Sequence, residues 1–271
     1  MATETGDSRI EKLAAFLAGQ PTSIQHVTRS SQDYAEIRSA YLNNPSLDPP
    51  LIVRPQSVEE VGLITSFMVK HGIEFTVRVG GHDLFGRSFK SHAVTLDLRK
   101  LNQVQVDPQG LTARVGGGTL CSDLARALGE HGMVAPCPTV SSVGYIGWAM
   151  HGGYGPYMGN FGLGVDQILA AKVINHQGKV VEADADLLKG IRGAGAAFGI
   201  IVEVTIPVFP LEKVRLKNSL RCQQPLTIDR YSRALSRSPR ETLVPSSGNS
   251  TMGTGDCLEN SQLYWGFSKG S

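Results

Sequence analysis

The stretch TVRVGGHDLFG, residues 76–86, sets His82 between a glycine pair and an aspartate, directly after an alternating apolar run. Dense glycine where a strand ends means that a ligand or another backbone must approach the main chain closely, or that φ must be positive. Backbone N–H groups left without partners in such a turn form a concave donor array suited to phosphate. The stretch VRVGGHD can therefore cradle a pyrophosphate without any lysine. His82 is either a loop histidine satisfied by nearby carbonyls or a reactive imidazole aimed at a ligand, and its residue type leaves both readings open. A second glycine-rich tract, residues 141–164, holds Gly144, Gly147, Gly152, Gly153 and Gly155. Tight packing of helices and strands is the other reading for these glycines. The spacing Gly193, Gly195, Phe198 has the wrong third residue for a dinucleotide fingerprint and follows a helix, and no Walker motif is present.

The elements that must position these residues are visible as periodic segments. Residues 8–19 read as a short amphipathic helix, followed by a polar stretch up to NNPSLDPP and the apolar LIV at 51–53. Ser57 and Glu60 have the spacing of a capping box. Val58, Val61, Ile64 and Met68 share the face behind it, and Lys70, His71 and Gly72 form a basic last turn with a glycine stop. EFTVRV and AVTLDL alternate like strands, and VQVD and LTARV flank a hairpin turn at Pro108 and Gly110. A helix is expected from about Thr119 to His131, a hairpin from ILAAKVIN and KVVEA, a short helix from near Asp184, and a strand in GIIVEVTIPVF. The body is α+β. From residue 213 onward no period of two or 3.6 is sustained, and the chain turns basic and rich in Ser and Arg.

Composition bounds the function classes. With 41% hydrophobic and 18% charged residues, the 271-residue chain can bury one large core or two smaller ones. A formal net charge of +2 gives no general attraction to nucleic acid or to a membrane surface. The N-terminus lacks the apolar core of a signal peptide and no run is long enough to span a bilayer, so a cytoplasmic protein is expected. Cys121, Cys137, Cys222 and Cys257 form no CxxC, which speaks against a zinc site or a dense disulfide framework. The sequon at Asn249 reads as a chance match in a Ser-rich segment.

Taken in order, RVGGHDLFG, CPTVSSVGYIGWAMHGGYGPYMGNFGLGVDQI and LLKGIRGAGAAFGIIVEVTI resemble the FAD-binding domain of the vanillyl-alcohol oxidase/p-cresol methylhydroxylase (PCMH) superfamily. The berberine-bridge-enzyme-like oxidases are the branch they are most similar to, over residues 46–212. The resemblance implies a two-subdomain PCMH-type FAD-binding fold. It implies that Val79, Gly80, Gly81 and Asp83 hold the FAD pyrophosphate through backbone donors and that His82 bonds covalently to the flavin 8α-methyl. It further implies that Thr139, Val140, Gly144, Gly147, Gly152, Gly153 and Gly155 line pyrophosphate and isoalloxazine, with Val165 near the adenosine end and Ile200 and Ile201 near the ring.

The departures from the family pattern carry expectations of their own. Cys137 heads a CPTV resembling the family's second flavin-linking cysteine motif, but extra residues before HGGYG put Val140 at that position instead. A single covalent link and a free Cys137 thiol follow. Trp148 stands where many relatives have histidine, and His151 adds an imidazole beside the glycines. The substrate domain is not recognisable, so the organisation expected is an N-terminal helical segment (1–45), the FAD-binding domain (46–212) and an irregular tail (213–271). The catalytic base stays unassigned; Tyr231 and Tyr264 lie in the unpatterned tail. The activity implied is oxidation of a small organic substrate by flavin with dioxygen as acceptor, in fungal-type relatives often within secondary metabolism. The alternatives are a truncated flavin-binding chain without turnover and a redox-silent flavin scaffold for cyclisation.

Overall fold

A computed structural model describes residues 6–211 apart from Thr22 and Asn43. Cys222, Cys257, Asn249, Tyr231 and Tyr264 lie outside the described residues.

The first subdomain is built on a four-stranded sheet. Its elements are α1 (Gly6–Ala18), β1 (Gln25–Thr28), α2 (Tyr34–Arg38), β2 (Leu51–Arg54), α3 (Val58–Lys70), β3 (Phe75–Arg78) and β4 (Val94–Asp97). The sheet order is β1-β2-β4-β3, with β2 and β3 both parallel to β4 and β1 antiparallel to β2. β2 and β3 run parallel on either side of β4, and α3 supplies the crossover between them. Ser57 caps α3 by accepting from the Glu60 N–H at 3.2 Å. The Glu60 carboxylate reaches the N–H of Gln56 at 2.7 Å, one residue before the position that a capping box requires. The face carrying Val61, Ile64 and Met68 is buried with Leu51, Val53, Val94 and Leu96, and α1 covers the cluster with Leu13 and Leu17. Phe16 of α1 stacks on Phe67 of α3 with centroids 4.1 Å apart.

The second subdomain is antiparallel throughout. Its elements are β5 (Val104–Asp107), β6 (Thr112–Gly116), α4 (Cys121–Glu130), β7 (Met133–Val134), α5 (Tyr145–Ala149), α6 (Met158–Phe161), β8 (Ala170–Ile174), β9 (Val180–Glu182), α7 (Ala185–Ala194), β10 (Ile200–Pro207) and β11 (Phe209–Pro210). The main sheet has the order β5-β6-β10-β8-β9, and β11 pairs with β7. The long β10 buries Ile200, Ile201 and Val202 and then alternates, with Val204 and Ile206 buried, and it feeds both cores: Ile200 and Val202 join the first, Ile201, Val204 and Ile206 the second.

The hairpins, the helices from Thr119 and Asp184, and the two strands around the His82 loop stand where the sequence puts them. Several short elements were not expected: β7, α5 and α6, and, in the polar stretch before NNPSLDPP, β1 and α2, whose few buried apolar residues, Val27, Tyr34 and Ile37, form a third cluster with Ile52 and Phe89. No helix of the described residues is long and apolar enough to cross a membrane.

Candidate flavin site

Buried charge positions the His82 loop. Along β3, Thr76 and Arg78 point inward and Val77 outward, so the strand ends on an arginine only 2% exposed, two residues before the first glycine. Its guanidinium donates to the Ile37 carbonyl at 2.6 Å and to the Ser39 carbonyl, and lies 3.4 Å from the Asp97 carboxylate. Asp97 is fully buried at the end of β4 and also faces Arg54 at 3.4 Å and Arg99 at 2.6 Å. One carboxylate thus opposes three guanidinium groups, and the floor of the loop stays positive. Burial lowers the Arg78 pKa to about 10 against the pull of Asp97. Gly81 rests directly on this guanidinium: a Cβ there would lie 3.1 Å from Arg78 Nε, and its φ of +69° favours glycine independently.

Above the floor, the N–H groups of Gly80, Gly81, His82 and Asp83 donate to no backbone carbonyl among the described residues. His82 projects from this turn, half-buried. Its Nε2 shares a hydrogen bond with Ser142 Oγ at 2.8 Å, and Tyr41 stacks on the imidazole with centroids 4.8 Å apart and planes 22° from parallel. Burial, and then the Arg78 charge, lowers the His82 pKa, which favours neutral imidazole. The Asp83 carboxylate turns back into its own loop, where it accepts from the Arg87 N–H and from Arg87 Nε at 2.9 Å. Burial pushes its pKa up, but the hydrogen bonds and charge of Arg87 outweigh that and leave it lowered. Asp83 can therefore serve a ligand through its N–H only.

The glycines of the second tract divide into two groups. Gly80 and Gly144 exist for each other: a Cβ on Gly80 would come within 2.4 Å of the Ser142 carbonyl oxygen, and one on Gly144 within 2.6 Å of Val79 Cγ1. This contact presses the His82 turn against residues 142–144. Gly153 packs on Gly164 and Gly155 on the Cys137 carbonyl, with would-be Cβ contacts of 2.4 and 2.2 Å. Packing explains these four. Gly147, inside α5, and Gly152, at φ +111°, have nothing within 4 Å of a Cβ. No neighbouring protein atom demands the missing side chain at Gly147. Amides of residues 80–83 without carbonyl partners, above a cationic floor, are what an anionic dinucleotide requires, so the residues present fit FAD.

The remaining expected residues are placed as follows. Val140 is 40% exposed and Thr139 is exposed beside it. Val165 is half-buried, and its N–H donates to the Gly152 carbonyl at 3.1 Å. Ile200 and Ile201 are spent on the two cores. Trp148 donates through Nε1 to the Tyr154 carbonyl at 2.6 Å, and His151 shares a hydrogen bond between Nδ1 and the Gly147 carbonyl at 2.9 Å. Cys137 is a free, partly buried thiol whose neighbour is Cys121; the Cys121 thiol donates to the Pro138 carbonyl at 3.1 Å. Tyr41, Ser142, Arg78 and Asp97 escaped sequence reasoning. Tyr41, Ser142 and Asp97 meet the loop only through the fold, and Arg78, two residues before Gly80, carries no mark of its burial in the sequence.

The description of the FAD binding domain family matches residues 49–184. This chain belongs to that family. The FAD-linked oxidoreductase aurO of Gibberella zeae is 36% identical over 212 residues, covering 78% of this chain and 41% of that protein. The (R)-6-hydroxynicotine oxidase of Paenarthrobacter nicotinovorans is 33% identical over 172 residues, covering 62% and 38% respectively. Among solved structures, 6-hydroxy-D-nicotine oxidase from Arthrobacter nicotinovorans superposes with a TM-score of 0.67 at 29% identity, over 72% of this chain and 44% of that one. Wild-type BBE-like 1 of Physcomitrella patens gives 0.67 at 28% identity, over 76% and 44%. The FAD-binding domain is thus of the two-subdomain PCMH type. The chain spans about two fifths of the length of the curated relatives it matches.

Proposed function

We propose that this chain holds FAD in the cleft between the His82 turn and α5, tethers it covalently through His82, and serves the oxidation of a small organic substrate. The observation that carries this reading is the His82 turn itself: an imidazole fixed on one edge and one face, above unpartnered N–H donors and a buried guanidinium. The backbone donors of residues 80–83 and the Arg78 charge beneath them would receive the pyrophosphate. Gly147 and Gly152 would leave room for the flat ring system. His82, kept neutral by burial and by Arg78, offers a ring nitrogen lone pair at neutral pH. With Nε2 engaged by Ser142, Nδ1 is the nitrogen that remains for the tether. When bound, FAD supplies the redox chemistry, taking a hydride from a substrate C–H bond and passing the electrons to dioxygen.

Purified protein is expected to be yellow and to keep its flavin through denaturation, whereas His82→Ala releases it. Flavin freed from the denatured wild type would refute the tether. A second reading is a flavin-holding chain without turnover. Peroxide release with any member of an alcohol, sugar and amine panel would dispose of that reading.

A further inference from the structure

The segment before NNPSLDPP has no role in the site as read from the sequence, yet it is bolted to the His82 turn. Arg78 donates to the carbonyls of Ile37 and Ser39, Arg99 Nη2 donates to Ile37 at 2.9 Å, and the Tyr41 N–H donates to the Gly81 carbonyl at 3.1 Å. These bonds deliver an aromatic ring to the surface. Tyr41 is 63% exposed, so core formation does not explain it, and its ring lies over the imidazole at 4.8 Å. Ser142 holds the same imidazole by one edge from the other subdomain, sixty residues away in sequence. An unclamped histidine side chain samples several rotamers; this one is held on a face and at an edge by groups from opposite sides.

We propose that Tyr41 is a positioning residue for covalent flavin attachment, fixing the His82 ring plane in the orientation in which its free nitrogen meets the 8α carbon. This rests on the reading of His82 as the tether. The attachment forms a C–N bond from the imidazole nitrogen to the 8α-methyl carbon. The ring N–H proton and one methyl hydrogen are lost, and two electrons pass through the flavin to dioxygen, so that peroxide is the co-product. Tyr41 takes no part in these bond changes. It removes the orientational freedom that would otherwise slow them, and orientation of this kind is worth about tenfold or more in rate. Any flat ring at position 41 suffices, since stacking and not the phenol hydroxyl does the holding.

Two measurements on the same proteins decide the matter. In the first, apoprotein is mixed with FAD and the covalent fraction is followed by in-gel fluorescence after denaturation. Tyr41→Phe should match the wild type, and Tyr41→Ala should attach flavin about tenfold more slowly while reversible FAD affinity changes far less. Equal attachment rates in Tyr41→Ala and the wild type would overturn the proposal. In the second, the His82 ring-proton resonances of the apoprotein are compared. The stacked ring should displace them upfield in the wild type and in Tyr41→Phe, and Tyr41→Ala should abolish the displacement. Unchanged resonances in Tyr41→Ala would overturn the proposal without any flavin present. If the upfield displacement is seen but no variant attaches flavin, the tether reading has failed and the positioning role falls with it.

Discussion

The two regions proposed to hold the flavin are kept in place by different physics. On the first subdomain, the His82 turn sits on a buried charge cluster in which Asp97 faces Arg54, Arg78 and Arg99. On the second, residues 142–155 are held by backbone contacts that only glycine permits, at Gly144, Gly153 and Gly155. Charge acts through space and depends on every partner being present. Glycine contacts act at van der Waals distance and fail with the addition of one carbon. The comparison also separates glycines that serve packing from those, Gly147 and Gly152, whose bare backbone faces open space.

The largest expected effect comes from breaking the charge side. Asp97→Ala leaves three guanidinium groups, one of them nearly fully buried, without their carboxylate. It should cost about 3–5 kcal/mol in denaturant unfolding. A loss below about 1 kcal/mol, the ordinary range of an exposed pair, would show that the arginines do not depend on it. On the glycine side, Gly80→Ala drives a methyl toward the Ser142 carbonyl and should cost about 1–3 kcal/mol. Gly147→Ala sharpens the contrast, because its methyl meets no protein atom. Stability should stay within about 0.5 kcal/mol. FAD affinity should fall, as measured by titration of the apoprotein. If Gly147→Ala binds FAD like the wild type, the open face of α5 is not the flavin's seat.

A smaller effect concerns His82 itself. Burial and Arg78 hold its pKa below the ordinary histidine value, so protonation favours the unfolded chain. Its contribution to stability is intact above the ordinary histidine range and is lost as pH falls through the lowered folded-state value. An NMR titration of the apoprotein should place the His82 midpoint below 6.5, the ordinary value. A midpoint above it would mean that burial and the Arg78 charge do not govern the imidazole.

Much of the fold was legible because its signals are local. Ser57, the apolar face of α3, and the turn at Pro108 and Gly110 each announce themselves within a few residues. The capping box was half legible: Ser57 caps as its spacing implies, while Glu60 finds Gln56. β1 and α2 were silent because they offer too few apolar residues, Val27 in one and Tyr34 and Ile37 in the other, to set a pattern. In the site, glycine is chemically conspicuous, so the turn and the tract could be read as backbone-approach sites. What could not be read is which glycines serve packing, since Gly80 and Gly144 acquire their reason only when the two subdomains meet. Tyr41, Ser142 and Asp97 are invisible for the same cause. Their partners lie at distances along the chain that no window spans.

Retention of flavin by the denatured chain tests the central claim most directly. Wild-type protein reconstituted with FAD, then unfolded and resolved on a denaturing gel, should carry a fluorescent flavin band that His82→Ala lacks. The contrary outcome is fluorescence surviving in His82→Ala, or absent from both proteins.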